Sequence, residues 1–339
     1  MMKNNWFPQL LSSYFLKYVP ERTGYSENTI KSYRDTFILL FRYYKESLNK
    51  PTSSISFESI DRNTIEDFLT WLEKNNGYSV SSCNQRLAAI HAFIKYVQME
   101  APEYMDLCTS ILSIKTKKVP AIPMNYLSVN AIRLLLSMPD AKSSNGRRDL
   151  ALLTLLYDSG ARVQEVADLT LGDLRIKKPA TVRLTGKGNK TRLVPIMPQT
   201  VKIVESYMND SKNFCTIYHT NPLFSNNRGE KLTRAGIAYV LNKYIVQARI
   251  KQSDLFPDKV SPHVLRHSKA MHLLEGGVNL IYIRDFLGHA SVTTTEVYAR
   301  ANPEVKRKAI EAASPNVLPP EKYTKKEKQD MVDWLKTII

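Results

Sequence analysis

Cysteine is scarce in this 339-residue chain: Cys83, Cys108 and Cys215 lie far apart, are odd in number and form no CxxC pair. That argues against a disulfide framework and fits a reduced intracellular protein with buried thiols. Long apolar runs are missing too. No unbroken stretch would span a bilayer, and the opening MMKNNWFPQLLSSYFLKYV has neither a long apolar core nor a cleavage pattern. The expectation is a soluble, cytoplasmic protein with no membrane partner. Acidic residues are the third shortage. Asp plus Glu number 32 against 48 Lys plus Arg, a formal +16 spread along the length. Nucleic acid is the partner such a balance favours, although a merely basic soluble protein shares it. The length allows two domains with separate cores.

The first third reads as helices. Leu10, Leu11, Tyr14, Phe15 and Tyr18 recur at helical spacing from Pro8 to about Tyr18. Further helices are predicted from Ser26 to about Leu48, Thr64 to Lys74 and Ser79 to Glu100, enough for a small bundle. Thr29, Lys31, Arg34, Asn84, Arg86 and Lys95 are candidate phosphate or base contacts, though a solvated helix surface is the better reading of any one of them. Lys115 to Pro123 is basic and proline-punctuated, an extended linker in which Lys117 and Lys118 could track DNA or simply face water.

Helices follow at Ser128 to Met138 and Arg147 to Asp158. Gly160 then supplies a sharp turn before Arg162, which opens a helix to Leu169. By residue logic alone Arg162 is a surface or Glu165-paired arginine. Thr181 to Ile196 alternates as a hairpin about the Gly186-Lys187-Gly188-Asn189 turn, where Lys187 by itself is a solvated turn lysine. A helix from Leu232 to Ala248 carries Arg234 among basic residues. It suits a duplex or a solvated face.

The densest chemistry lies in Ser261–Arg300, SPHVLRHSKAMHLLEGGVNLIYIRDFLGHASVTTTEVYAR. Ser261 and Pro262 suit the N-cap and first position of a helix. His263 and Arg266 then sit about one turn apart near its N-terminus, where amides and dipole favour an anion. Val264, Met271 and Leu274 mark the buried face, with His263 and Arg266 to one side. Gly276-Gly277 ends this helix and Leu280 to Leu287 reads as another. Gly288-His289 is a turn, and Thr293 with Glu296 makes a capping box for a third helix, which carries Tyr298 and ends at Asn302-Pro303. A cationic anion site, a second imidazole and a phenol form a kit for attacking a phosphodiester.

His263 and His267, four apart, are also a candidate metal pair. The helical wheel instead sets His267 near the Val264/Met271 stripe, as a hydrogen-bonded core histidine. No HExxH glutamate or nearby cysteine completes a site, so no metal is expected. His219 and His272 receive no role.

His263-x-x-Arg266, Leu287-Gly288-His289 and Tyr298 resemble the signature of the tyrosine recombinases, the phage-integrase and Xer-type family. Arg162 in its G-x-R-x-x-E context and the TGKGNK hairpin fit the same pattern. The resemblance implies a mainly α fold with a small β-sheet. Residues 1–114 would be a helical, SAM-like core-binding domain and 115–124 a linker. Residues 125–313 would be an α+β catalytic domain, and 314–339 a tail whose last helix docks on a neighbouring subunit. It further implies that Tyr298 is the nucleophile, Arg162 and Arg266 clamp the phosphate, and His289 donates to it. His263 would be the base and Lys187 the general acid. Lys190 and Arg192 become DNA backbone contacts, and Arg234 stays a candidate from its basic helix.

Chemistry of this kind uses no cofactor, metal or ATP. The implied partners are double-stranded DNA with specific recombination sites, further subunits in a tetramer on that DNA, and an accessory directionality factor or second recombinase. The ending TTTEVYARANPEVKRKA leans towards integrases of mobile elements. A type IB-like topoisomerase or resolvase would share the chemistry, and a DNA-binding regulator would use the same residues only to hold phosphate.

Overall fold

The computed structural model describes residues 7–119, 124–210, 219–289, 291–301 and 325–338. The chain divides into two compact units, Met1–Ile122 and Pro123–Ile339.

The first unit is helical. Its opening helix α1 runs through Phe7–Ser13, Tyr14–Tyr18 and Val19–Arg22, the middle segment wound as a π-helix. It is followed by α2 (Glu27–Glu46), α3 (Arg62–Asn75), α4 (Val80–Glu100) and α5 (Met105–Leu112). Side chains set several starts: Ser26, Asp61 and Ser79 accept from the amides of Thr29, Thr64 and Ser82. Each such cap contributes about 1 kcal/mol. The core is aromatic. Phe93 meets Phe7, Tyr14 and Phe37 edge-on, with centroids 5.9, 5.3 and 5.1 Å apart. α5 has no counterpart in the sequence reading, because two turns are too few for periodicity to show. It is held by Cys108 and Ile111, which are both buried.

The expected linker is partly docked. The Lys117 amide donates to Asn84 Oδ1 (3.1 Å), Asn84 Nδ2 donates to the Lys117 carbonyl (2.8 Å), and Lys117 Nζ pairs with Glu73. Residues 120–123 lie outside the described residues.

The second unit begins with α6 (Val129–Leu136), α7 (Ser144–Asp158) and α8 (Val163–Ala167). Leu152, Leu153, Leu155 and Leu156 of α7 are fully buried. The helix is apolar almost all round because neighbours enclose it. A three-stranded antiparallel sheet follows in the order β1 (Leu174–Arg175), β2 (Thr181–Thr185), β3 (Thr191–Pro195). β2 and β3 are the expected hairpin, with Val182 and Leu184 buried and Arg183 out. The two-residue β1 is too short to show in a sequence. Then come α9 (Pro198–Asp210), α10 (Arg234–Lys251), α11 (Pro262–Glu275), α12 (Leu280–Leu287), α13 (Thr293–Ala301) and α14 (Lys325–Lys336). A separate cluster of Ala270, Met271, Leu274, Ile283, Leu287 and Tyr298 joins α11, α12 and α13.

Of two expected helix starts, the first is as read, with Pro262 opening α11, and the second is corrected. Ser261 stands at the N-cap of α11 without a side-chain hydrogen bond. Thr293 is the first residue of α13, and its amide is capped by the Ser291 hydroxyl at 3.2 Å. The helix expected after Asn302 and the proline-rich Ser314–Tyr323 lie outside the described residues. Among the described residues no helix is long and apolar enough to cross a membrane.

Candidate active site

Three arginines from distant segments end on three consecutive carbonyls. The C-terminus of α12 leaves backbone oxygens without helical partners at the negative end of its dipole. Arg192 Nε donates to Phe286 (3.0 Å), Arg266 Nη2 to Leu287 (2.7 Å) and Arg162 Nη2 to Gly288 (3.4 Å). Gly288 is the left-handed cap, φ +66°, that turns the chain into His289.

Arg266 is more deeply placed than the helical wheel suggested, at 3% exposure. Burying a guanidinium is tolerable only when its donors are used, and its Nη1 also reaches the Gly160 carbonyl (2.7 Å). Gly160 makes its turn at φ +56°, which only glycine adopts without strain. Burial first, and then the neighbouring Arg162, lower the Arg266 pKa to about 10, so it stays charged at neutral pH.

Arg162 occupies the N-cap of α8, and Glu165 one turn on both caps its backbone and pairs with its side chain. Glu165 Oε2 accepts the Arg162 amide (2.8 Å) and Oε1 accepts Arg162 Nη1 (3.0 Å). Arg162 keeps 37% of its side chain exposed, so it faces both the carboxylate and solvent. The same carboxylate takes a fork from Arg192, Nη1 at 2.9 Å and Nη2 at 2.8 Å. Burial alone would push the Glu165 carboxyl up, but the bonds from Arg192 and Arg162 outweigh it and hold it below its ordinary value.

Tyr298 is 2% exposed. Its hydroxyl lies 3.0 Å from His267 Nδ1, and its ring stacks on His289 at 6.4 Å with 6° between planes. Burial raises the phenol pKa against the pull of Arg266 and Arg162, so it is protonated in this state. His289 Nδ1 pairs with Thr295 Oγ1 (3.0 Å). Burial, then Arg266, Arg162 and Arg192, push the His289 pKa down to about 4, leaving a neutral ring. His263 keeps an open edge to solvent, and burial with Arg266 and Arg162 lowers its pKa as well. Among the described residues no three His, Cys, Asp or Glu side chains gather as a metal site.

The structure therefore brings together Arg162, Arg266, His289 and Tyr298. Lys187 begins the short turn Lys187–Asn189 at the hairpin tip, where Gly188 has φ +75°. Of the expected DNA contacts, Lys31, Arg34, Lys118, Lys190 and Arg234 are exposed. Arg86 is half-buried and donates to the Ser32 carbonyl (2.9 Å) and Thr36 Oγ1 (3.3 Å), tying α4 to α2. Arg192 is bound within the protein, to Glu165 and the Phe286 carbonyl. His267 is the hydrogen-bonded histidine expected, but its partner is the candidate nucleophile. Spacing reveals that His267 faces inward; it does not reveal what it meets.

A helical, SAM-like unit followed by a mostly helical unit with a small antiparallel sheet is the architecture of the tyrosine recombinases. The phage integrase family model matches residues 125–304, and that of the phage integrase N-terminal SAM-like domain matches residues 13–100. The chain belongs to this family. A Sinorhizobium fredii protein named as an integrase/recombinase is 36% identical over 93% of this chain and 94% of its own length. Tyrosine recombinase XerC of Pelotomaculum thermopropionicum is 31% identical over 89% of this chain and 96% of its own. Among solved structures, the Tn1549 transposon integrase with transposon right-end DNA superposes at TM-score 0.70 and 17% identity, covering 91% of this chain and 99% of that one. XerH bound to its palindromic difH substrate, post-cleavage, gives 0.66 at 21% identity, covering 93% and 89%. At those identities the structural likeness is one of fold.

Proposed function

We propose that this chain is a site-specific DNA recombinase that cuts and rejoins strands through a 3′-phosphotyrosyl intermediate, acting in the cytoplasm without a cofactor. The observation that carries the reading is the convergence of Arg162 and Arg266 on the α12 terminus beside Tyr298 and His289. Two fixed cations one step from a phenol can stabilise charge on a phosphodiester's non-bridging oxygens.

In this mechanism Tyr298 Oη bonds to phosphorus as the bond from phosphorus to the 5′ oxygen breaks. Lys187 protonates that leaving oxygen. The phenol proton passes to an imidazole: the resemblance points to His263, while the hydrogen bond to His267 makes His267 the nearer acceptor. His289 donates to the phosphate. Since the covalent link conserves the bond energy, a 5′-hydroxyl from another strand reverses the step and completes exchange. A phosphate cannot reach a hydroxyl on a residue 2% exposed. Productive binding therefore includes a shift of α13 that frees Tyr298 from His267.

The partners proposed are duplex DNA with defined sites and three further subunits on it, with or without a directionality factor. Trp334, Leu335 and Ile338 of the tail are exposed and suit docking on a neighbouring subunit. A truncation before Ser314 that still assembles on DNA would sink that part.

The decisive experiment traps the adduct on nicked duplexes carrying sites from the flanking DNA, with EDTA present. A covalent band that vanishes in Tyr298→Phe while binding persists supports the reading. Tight binding with no band on any site favours a DNA-binding regulator.

A further inference from the structure

The hairpin carries Lys187 at its tip, and Arg192 fastens the base of that tip to two other parts of the unit. Arg192 stands opposite Leu184, with Thr185 and Thr191 as the last pair before the turn. From there it forks onto Glu165 (2.9 and 2.8 Å) and reaches the Phe286 carbonyl (3.0 Å). The two side chains are 13% and 2% exposed. A buried bidentate pair fixes geometry as well as charge.

Two glycines show how tightly this is built. A Cβ on Gly186, on the other limb of the turn, would stand 3.0 Å from Glu165 Oε1. A Cβ on Gly288 would meet the Arg192 side chain at 2.9 Å. Both limbs of the Lys187 turn thus close on the carboxylate that holds Arg162.

We infer that Arg192 is a positioning residue for strand cleavage: it registers the Lys187 turn against Arg162 and the His289 turn, and makes no DNA contact. The inference rests on the recombinase reading. There the leaving 5′ oxygen takes its proton from Lys187 as the tyrosyl–phosphorus bond forms. A turn unfastened at its base misplaces that proton. A substrate whose bridging 5′ oxygen is replaced by sulfur does not need it, because the thiolate leaves unprotonated far more readily than an alkoxide.

The test compares the full chain with Arg192→Gln and Arg192→Lys. Single-turnover adduct formation is measured on nicked duplexes with bridging 5′ oxygen or sulfur, beside thermal melts and binding titrations at several salt concentrations. Cleavage of the oxygen substrate is expected to fall about 100-fold in both variants, since lysine cannot fork. Cleavage of the sulfur substrate is expected to fall less than about tenfold, with binding and its salt slope unchanged. A slope reduced by about one phosphate makes Arg192 a DNA contact and overturns the inference. Equal losses on both substrates, or no loss, overturn it as well. If the glutamine variant melts below the assay temperature, the lysine variant, which keeps the charge, decides. If the unaltered chain forms no adduct on either substrate, the recombinase reading has itself failed.

Discussion

The hydroxyl of Tyr298 lies 3.0 Å from Nδ1 of His267, one residue past the arginine that caps α12. The imidazole that satisfies the buried phenol and the guanidinium proposed to clamp the phosphate are therefore neighbours on one helix, α11. Any movement that frees the tyrosine starts beside the clamp.

Removing either partner of that bond tests it. Tyr298→Phe is expected to abolish the covalent adduct and leave DNA binding intact. His267→Ala strands a buried hydroxyl and is expected to cost about 1–3 kcal/mol in a denaturant titration, with His267→Gln costing less.

The histidines predict a pH dependence. Burial first lowers the pKa values of His263, His267 and His289, the last to about 4. The unfolded chain therefore binds protons that the folded unit refuses. Stability present above about pH 6.5 is lost as pH falls through the lowered values. A melt series from about pH 7.5 to 5 is expected to show a falling midpoint, and His289→Gln to flatten it. Glu165, held below its ordinary value, adds its loss only at lower pH.

Arg266 serves the Gly160 and Leu287 carbonyls together. An ammonium on a flexible stem cannot reproduce that planar reach. Arg266→Lys is expected to destabilise the second unit by about 2–3 kcal/mol and to slow adduct formation by more than tenfold.

Gly288→Ala places a Cβ at φ +66° and at 2.9 Å from Arg192. The backbone strain alone is about 1–2 kcal/mol. A lower melting point with loss of cleavage is expected. Relief of the cleavage defect by Gly288→Asn, a residue that tolerates left-handed backbone, would show that displacement of Arg192 is not the cause.

In the first unit Phe93 is 1% exposed among the rings of Phe7, Tyr14 and Phe37. Phe93→Ala is expected to cost about 3–5 kcal/mol, read from the unfolding of that unit.

Much of the scaffold was legible in order. The apolar period of 3.6 marks α2, α3 and α4, and alternation marks the hairpin, because each pattern is written in neighbouring residues. α5 and β1 were not, being too short to establish any period. Within the site, Glu165 was legible as the partner of Arg162 because they share one helical turn.

By itself, the sequence determined which residues are proposed for the chemistry: Arg162, Lys187, His263, Arg266, His289 and Tyr298 stand in motifs readable along the chain. Only the tertiary structure decided what they touch. Arg192 lies 27 residues from Glu165 and 94 from Phe286, and His267 lies 31 from Tyr298. A basic residue on an exposed-looking strand reads as a DNA contact, and only the fold shows that a buried carboxylate lies against it. Local spacing decides which way a side chain points, and long-range packing decides what it meets.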